Sequence, residues 1–227
     1  MDMVHMKIIA RMKSDFPDKF GIPRQSGLVD NLVSTIVFEP EYRNPDALRG
    51  LEDFSHLWII WQFSKTVRED WSPTVRPPRL GGNTRMGVFA TRSPFRPNEI
   101  GLSSVKIIGL ERTTQFGTVI HVSGADLMDG TPIYDIKPYI KYADARPHAV
   151  CGYVDGLQER SLKVNIPKEI AVAIPDKTVL EALVQTLSLD PRPSYHDDPD
   201  REYGLSFAGL NVKFKVFLRI LTVTAIE

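Results

Sequence analysis

The chain has 227 residues, 42% hydrophobic and 25% charged, with a formal net charge of +0 at pH 7. Those values describe one sizeable core, or a main domain with a small appendage, and exclude a disordered or fibrous chain. A neutral total also argues against a long, sequence-blind nucleic-acid binder, so an anionic partner is expected to be held by a local patch. Cys151 is the single cysteine, which leaves no internal disulfide and no cysteine-rich zinc site. Residues 1–6 lack the layout of a signal peptide, and no apolar run approaches membrane-spanning length. A cytoplasmic protein with no membrane partner is expected.

Residues 6–12 are β-compatible, and Pro17, Gly21, Pro23 and Gly27 then punctuate a loop. Residues 33–38 read as a strand. Ala47, Leu48 and Leu51 share a face that predicts a short helix over 46–54. Residues 56–63 form an aromatic, apolar run without alternation, which predicts a strand buried on both faces. From 71 to 101 the chain is rich in Pro and Gly, with a brief strand expected at 86–90. Strands are expected at 105–110 and 118–122 around a turn at 115–117, and another at 132–139. Short strands joined by irregular loops favour a mainly β domain over an alternating α/β sheet, with a barrel as one form.

The composition shifts after Tyr142. Leu180, Leu183, Val184 and Leu187 predict a helix over 176–189 with Asp176 as its cap, stopped by Asp190, Pro191, Arg192 and Pro193. Residues 196–202 read as a charged loop. Residues 211–226 read as strand, with Val212, Phe214, Val216 and Leu218 on one face. The expected division is a β domain over 1–142 and a small α+β domain over 143–227.

Several familiar chemistries are missing. Gly81, Gly82 and Gly87 lack the spacing and the following helix of a dinucleotide-binding turn, and Val88-Phe89 stands where a phosphate-binding loop needs Lys-Ser/Thr. The histidines His5, His56, His121, His148 and His196 are scattered, with no ligand pair at helical spacing. No metal is expected.

Three constellations remain. Residues 71–98 carry Arg76, Arg79, Arg85, Arg92 and Arg96 with no lysine and no acid before Glu99. Arginine without lysine suits directed, planar hydrogen bonding to anions, and Phe95 among them offers a ring for stacking. The competing reading is a solvated loop whose arginines pair with acids elsewhere. Asp126, Asp129 and Asp135 form a second group that could face a cationic group or orient hydroxyls, though from composition alone a turn at Asp129-Gly130 is the stronger reading. The loop Pro23-Arg24-Gln25-Ser26-Gly27 offers hydrogen bonds to a ligand, or is simply a loop.

The runs Phe20 to Gly27, Leu51 to Trp58, Thr74 to Asn83, Gly87 to Asn98, Asp126 to Pro132 and Asp135 to Tyr139, followed by Asp190-Pro191-Arg192-Pro193-Ser194-Tyr195, resemble the tRNA N6-methyltransferase O family (TrmO; TsaA-like or YaeB-like proteins). The resemblance implies S-adenosylmethionine-dependent N6-methylation of threonylcarbamoyladenosine just 3′ of the tRNA anticodon. It also implies a single-sheet β-barrel in place of a Rossmann fold, and a homodimer with cofactor sites near the subunit interface. Carried over, the cofactor pocket draws on Gln25, Ser26 and Gly27, on Ser64 and Lys65, on Arg92 and Leu102, and on Asp126, Leu127, Met128, Asp129 and Gly130. Relatives often have His-Gln where this chain has Ser64-Lys65, so only a backbone contact is inferred there. Glu99 replaces a common proline and puts an acid at the edge of the basic patch.

Asp126 or Asp129 is expected to hold the donor, and Arg92 and Arg96 to bind anionic groups of the donor or tRNA. The threonyl carboxylate is a further partner for a bidentate arginine. Asp126 and Arg92 are thus the catalytic candidates, with no general base identified. Arg76, Arg79, Arg85, Arg96 and Arg192 are the candidate RNA contacts. Residues 143–227 either touch tRNA through Arg192 and its neighbours or pack on the barrel. Two other functions compete: a non-catalytic RNA-binding module, and a methyltransferase of the same family with another acceptor.

Overall fold

The computed structural model describes residues 5–67, 70–157, 161–174, 176–193 and 198–227. Ser194 and Tyr195 of the C-terminal run, together with His196 and Asp197, lie outside the described residues.

In β2 (Val33–Phe38), Ser34, Ile36 and Phe38 face inward while the intervening residues face out, the period-two pattern of a strand with one core face. The same logic builds β1 (Ala10–Lys13), β3 (His56–Gln62), β6 (Ile100–Thr113), β7 (Gly117–Ser123) and β8 (Pro132–Pro138). These six strands pair in the order β1-β2-β7-β6-β3-β8, every neighbour antiparallel. Because β8 pairs back onto β1, the sheet closes into a barrel. Closure removes the exposed strand edges, and the interior is filled by Met12, Ile36, Leu57, Ile59, Ile120, Val122 and Ile133.

Four local expectations change. β3 is not buried on both faces: Leu57, Ile59 and Trp61 enter the core, while Trp58, Ile60 and Gln62 are half-buried outside, with Trp58 against Tyr139. The helix expected over 46–54 is instead two 3-10 turns, Pro45–Leu48 and Leu51–Asp53. Gly50 between them sits at φ 86, a left-handed conformation that interrupts any helix. The strand at 86–90 shrinks to β5 (Met86–Gly87), paired with β4 (Thr74–Val75), and Val88–Ala90 is a 3-10 turn. β6 begins at Ile100, earlier than its apolar residues suggested.

Beyond the barrel come a short helix α1 (Lys141–Asp144), β9 (Lys163–Asn165), α2 (Lys168–Ala171), α3 (Lys177–Ser188), β10 (Tyr203–Phe207), β11 (Leu210–Phe217) and β12 (Ile220–Ile226). The four strands form a sheet in the order β10-β11-β12-β9, antiparallel except for β12 with β9. Asp176 caps α3 as expected, its carboxylate accepting the Thr178 N–H at 2.6 Å. Ala182, Leu183, Thr186 and Leu187 are the buried stripe of this helix, and Val184 lies at its exposed edge. Full burial of each leucine is worth about 1.5–3 kcal/mol. The run 211–226 is two strands, because Leu218 turns the chain at φ 54 and stands exposed rather than joining Val212, Phe214 and Val216. β10 occupies sequence for which only a charged loop was expected upstream.

The second core is shared between the C-terminal sheet, α3 and the segment that joins β1 to β2. Phe16, Val29 and Leu32, from the segment joining β1 to β2, pack among Leu183, Leu187, Leu205, Phe207 and Phe214. The Phe16 and Phe207 rings are 5.3 Å apart, and the Ala208 N–H donates to the Asp15 carbonyl. The loop at 19–27 is therefore held between the barrel and the C-terminal sheet.

Candidate functional site

At one end of the barrel, four separate segments converge on Asp126. Its Oδ1 accepts a hydrogen bond from Ser103 Oγ at 2.5 Å, and Ser103 Oγ in turn accepts the Trp61 indole N–H at 2.9 Å. Burial pushes the Asp126 carboxyl above its ordinary value; the Ser103 hydroxyl, the Arg92 guanidinium and the Ser26 backbone N–H pull it back. Arg92 also donates to Gln25 Oε1 at 2.5 Å. Four of the expected residues, Gln25, Ser26, Arg92 and Asp126, thus meet.

Trp61 and Ser103 were not singled out from the sequence, and both are buried parts of this cluster. A lone serine in a strand carries no distinguishing mark. The usable sign was Gly101 and Ser103 alternating along β6, opposite the aromatic β3. Trp61 lies directly across from Gly101, where an added Cβ would come within 2.3 Å of the indole. Glycine there is what lets the indole lie flat and reach Ser103.

The loop carrying Gln25 and Ser26 is tied down from several sides. Gly27 N–H donates to the Gly124 carbonyl at 2.8 Å, and Lys19 Nζ donates to the Lys65 carbonyl at 2.5 Å. The space where a Cβ on Gly27 would stand is open.

The other expected cofactor residues are dispersed in role. Leu127 is buried in the core and offers only its backbone. The Met128 carbonyl accepts from Thr131. Asp129 Oδ1 accepts the Ser14 N–H at 3.1 Å, and Gly130 N–H donates to the Met12 carbonyl, so this turn also latches the β1 end. Ser64 and Lys65 form the turn after β3, and among the described residues no hydrogen bond joins them to Asp126 or Arg92. The Leu102 side chain, 55% exposed, faces away from Ser103 on the outer surface of β6.

The arginines separate in the same way. Arg79 is exposed, and Arg85 donates to Thr74 Oγ1 at 2.7 Å across the β4–β5 hairpin. Arg96 is half-buried and donates to the Val88 and Thr91 carbonyls at 3.2 and 2.7 Å, an internal tie rather than a free cation. Arg192 makes a two-pronged ion pair with Asp190 at 2.8 and 3.0 Å, its side chain only 10% exposed. That geometry fits the packing role for this part of the chain.

Arg76 lines a cleft of about 490 Å³ together with Lys19, Arg24, Pro78, Asp190 and Arg192. The Thr186 hydroxyl, buried in the same wall, has no hydrogen-bond partner among the described residues. Among those residues no group of three or more side chains could hold a metal ion, and no helix is long and apolar enough to cross a membrane.

Comparison with known proteins places this architecture. The family model for the tRNA-methyltransferase O N-terminal domain matches residues 11–145, and that for the TrmO C-terminal domain matches residues 159–227. A tRNA (adenine(37)-N6)-methyltransferase of Escherichia coli (strain K12) is 37% identical over 225 residues, covering 95% of this chain and 94% of that protein. A putative S-adenosylmethionine-dependent methyltransferase of Pseudomonas aeruginosa is 38% identical over 219 residues, covering 90% of this chain and 89% of its own length. The crystal structure of TrmO from Pseudomonas aeruginosa superposes with a TM-score of 0.80 at 32% identity, covering 100% of this chain and 98% of that one. The class is a methyltransferase built on an antiparallel barrel with an appended α+β unit. The chain belongs to the tRNA-methyltransferase O family.

Proposed function

We propose that this chain transfers a methyl group from S-adenosylmethionine to N6 of adenine 37 in tRNA, as its Escherichia coli relative is named for doing. The acceptor in this reading is the threonylcarbamoyl-modified nucleoside, and the enzyme works as a cytoplasmic homodimer. The observation that carries the proposal is the meeting of Arg92, Asp126, Gln25 and Ser26.

Those residues suit the donor. S-adenosylmethionine supplies an already activated methyl carbon, along with an ammonium, a carboxylate and ribose hydroxyls as handles. Asp126 is a carboxylate acceptor whose position is set by Ser103 and Trp61, matched to an ammonium or hydroxyl. Arg92 is a planar donor matched to a carboxylate. Gln25 fixes the Arg92 fork and Ser26 offers its backbone N–H.

N6 bearing a carbamoyl group is a poor nucleophile while protonated, so positioning must supply much of the rate. The cleft beside the 19–27 loop supports this part of the reading. Its Lys19 and Arg76 offer cations for the threonyl carboxylate, and the Thr186 hydroxyl has no partner among the described residues. Methyl transfer to modified tRNA is expected to fall about a hundredfold or more in Arg92→Ala and in Asp126→Ala. Near-normal turnover in both variants would overturn the assignment. Calorimetry with the cofactor alone separates the proposal from a non-catalytic RNA-binding module, for which no binding heat is expected.

A further inference from the structure

The 71–98 segment presents two large rings to solvent. Phe89 is 70% exposed and Trp71 53% exposed, and their centroids lie 6.0 Å apart at an interplanar angle of 32°. Their meeting is built by the backbone. The β4–β5 pairing sets Thr74 opposite Gly87, and the Val88 N–H donates to the Pro73 carbonyl at 2.9 Å, which brings the two flanks of the hairpin together.

Phe89 is also held outward by design of the turn around it. Val88 is 1% exposed and anchors the 3-10 turn from below. Thr91 Oγ1 and Arg96 both donate to the Val88 carbonyl, and the Arg96 guanidinium lies over the Phe89 ring at 5.7 Å from its centroid. A phenyl ring fixed in solvent forgoes the 1.5–3 kcal/mol or so that burial would return. Folding alone gives no reason for this arrangement.

The surroundings identify the occupant by its chemistry. Residues 71–98 hold five arginines and no acid, with Asp70 and Glu99 only at the two ends. Flat apolar rings on an arginine-rich segment, with the Arg96 guanidinium against one of them, match a partner that is both anionic and flat-faced. An unpaired base of a single-stranded RNA loop has both properties.

We infer that Trp71 and Phe89 form a stacking platform for an unpaired tRNA base, with Arg96 as a positioning residue beneath Phe89 and Arg79 and Arg85 toward the phosphates. This rests on the proposed action on tRNA and specifies how the RNA is gripped. The platform is separate from the residues assigned to the methyl donor.

The test is binding of the full chain to a labelled tRNA carrying the modified adenosine, with S-adenosylhomocysteine affinity measured in parallel. Phe89→Ala and Phe89→Leu are expected to weaken tRNA binding roughly tenfold or more, Phe89→Trp to restore it, and cofactor-product affinity to stay constant in all three. Leucine keeps apolar bulk but has no π face, so its failure to rescue marks stacking. Wild-type tRNA affinity in Phe89→Ala would overturn the inference. So would a loss of self-association in that variant, since the rings would then cover a second copy of the chain. Absence of methyl transfer by the wild-type protein would strike the proposed function, and leaves this binding comparison intact as a separate result.

Discussion

Two loops serve this molecule in opposite ways. The 19–27 loop is clamped: Phe16, Val29 and Leu32 on its flanks are fully buried in a core shared with the C-terminal sheet, and Gly27 is hydrogen-bonded to the barrel. The 71–98 loop is held mainly by its own short hairpin and by Arg96, and it keeps Trp71 and Phe89 in solvent. A small ligand is recognised by atoms that must not move, so its loop is fixed from both sides. A large, irregular one is recognised by area and charge, so its loop is displayed. On the proposed function, the first loop works with Arg92 of the second toward the methyl donor, and the displayed rings of the second toward RNA.

Breaking each anchor should therefore damage a different function. Phe16→Ala removes a fully buried ring from the shared core and is expected to cost about 3–5 kcal/mol in denaturant unfolding. Cofactor affinity should fall with it, because the Gln25–Ser26 loop loses its base. Val88→Ala removes a smaller anchor and is expected to cost about 1–2 kcal/mol, weakening tRNA binding while cofactor affinity holds. Equal losses of both affinities in both variants would erase the distinction between the loops.

A smaller effect sharpens the first loop. Burial raises the Asp126 carboxyl above 3.8, so the folded state binds its proton more readily than the unfolded chain does. Stability contributed by this group is then lost as pH rises from 3.8 through the raised value. Asp126→Asn stays neutral throughout. Its unfolding midpoint relative to the native chain should improve on going from pH 3.5 or so to about pH 7. An unchanged difference across that range would mean the carboxylate is not desolvated where it stands.

Much of this was legible in the residues. Strands such as β2 and β8, and the cap of α3 at Asp176, show in local pattern because local physics decides them. The barrel's β3 hid its alternation because Trp58 and Ile60 are also apolar, half-covered on the outside. The hairpin after β11 hid because a leucine, not glycine or asparagine, takes the left-handed turn at φ 54. In the site, Arg92, Gln25 and Asp126 were reached through their resemblance to a family. Trp61 and Ser103 were not, since their importance lies in a cross-strand contact that only the register reveals. The internal bonds of Arg96 and Arg192, both candidate RNA contacts, were not legible, because sequence does not show which carbonyl or carboxylate a guanidinium will find.

The most direct measurement is methyl transfer from labelled S-adenosylmethionine by the full chain to a tRNA bearing threonylcarbamoyladenosine, set against the same tRNA without that modification. The account predicts label on N6 of the modified nucleoside, identified by mass spectrometry, and little on the unmodified tRNA. Equal labelling of both tRNAs would contradict the assigned acceptor, and no labelling of either would contradict the assigned reaction.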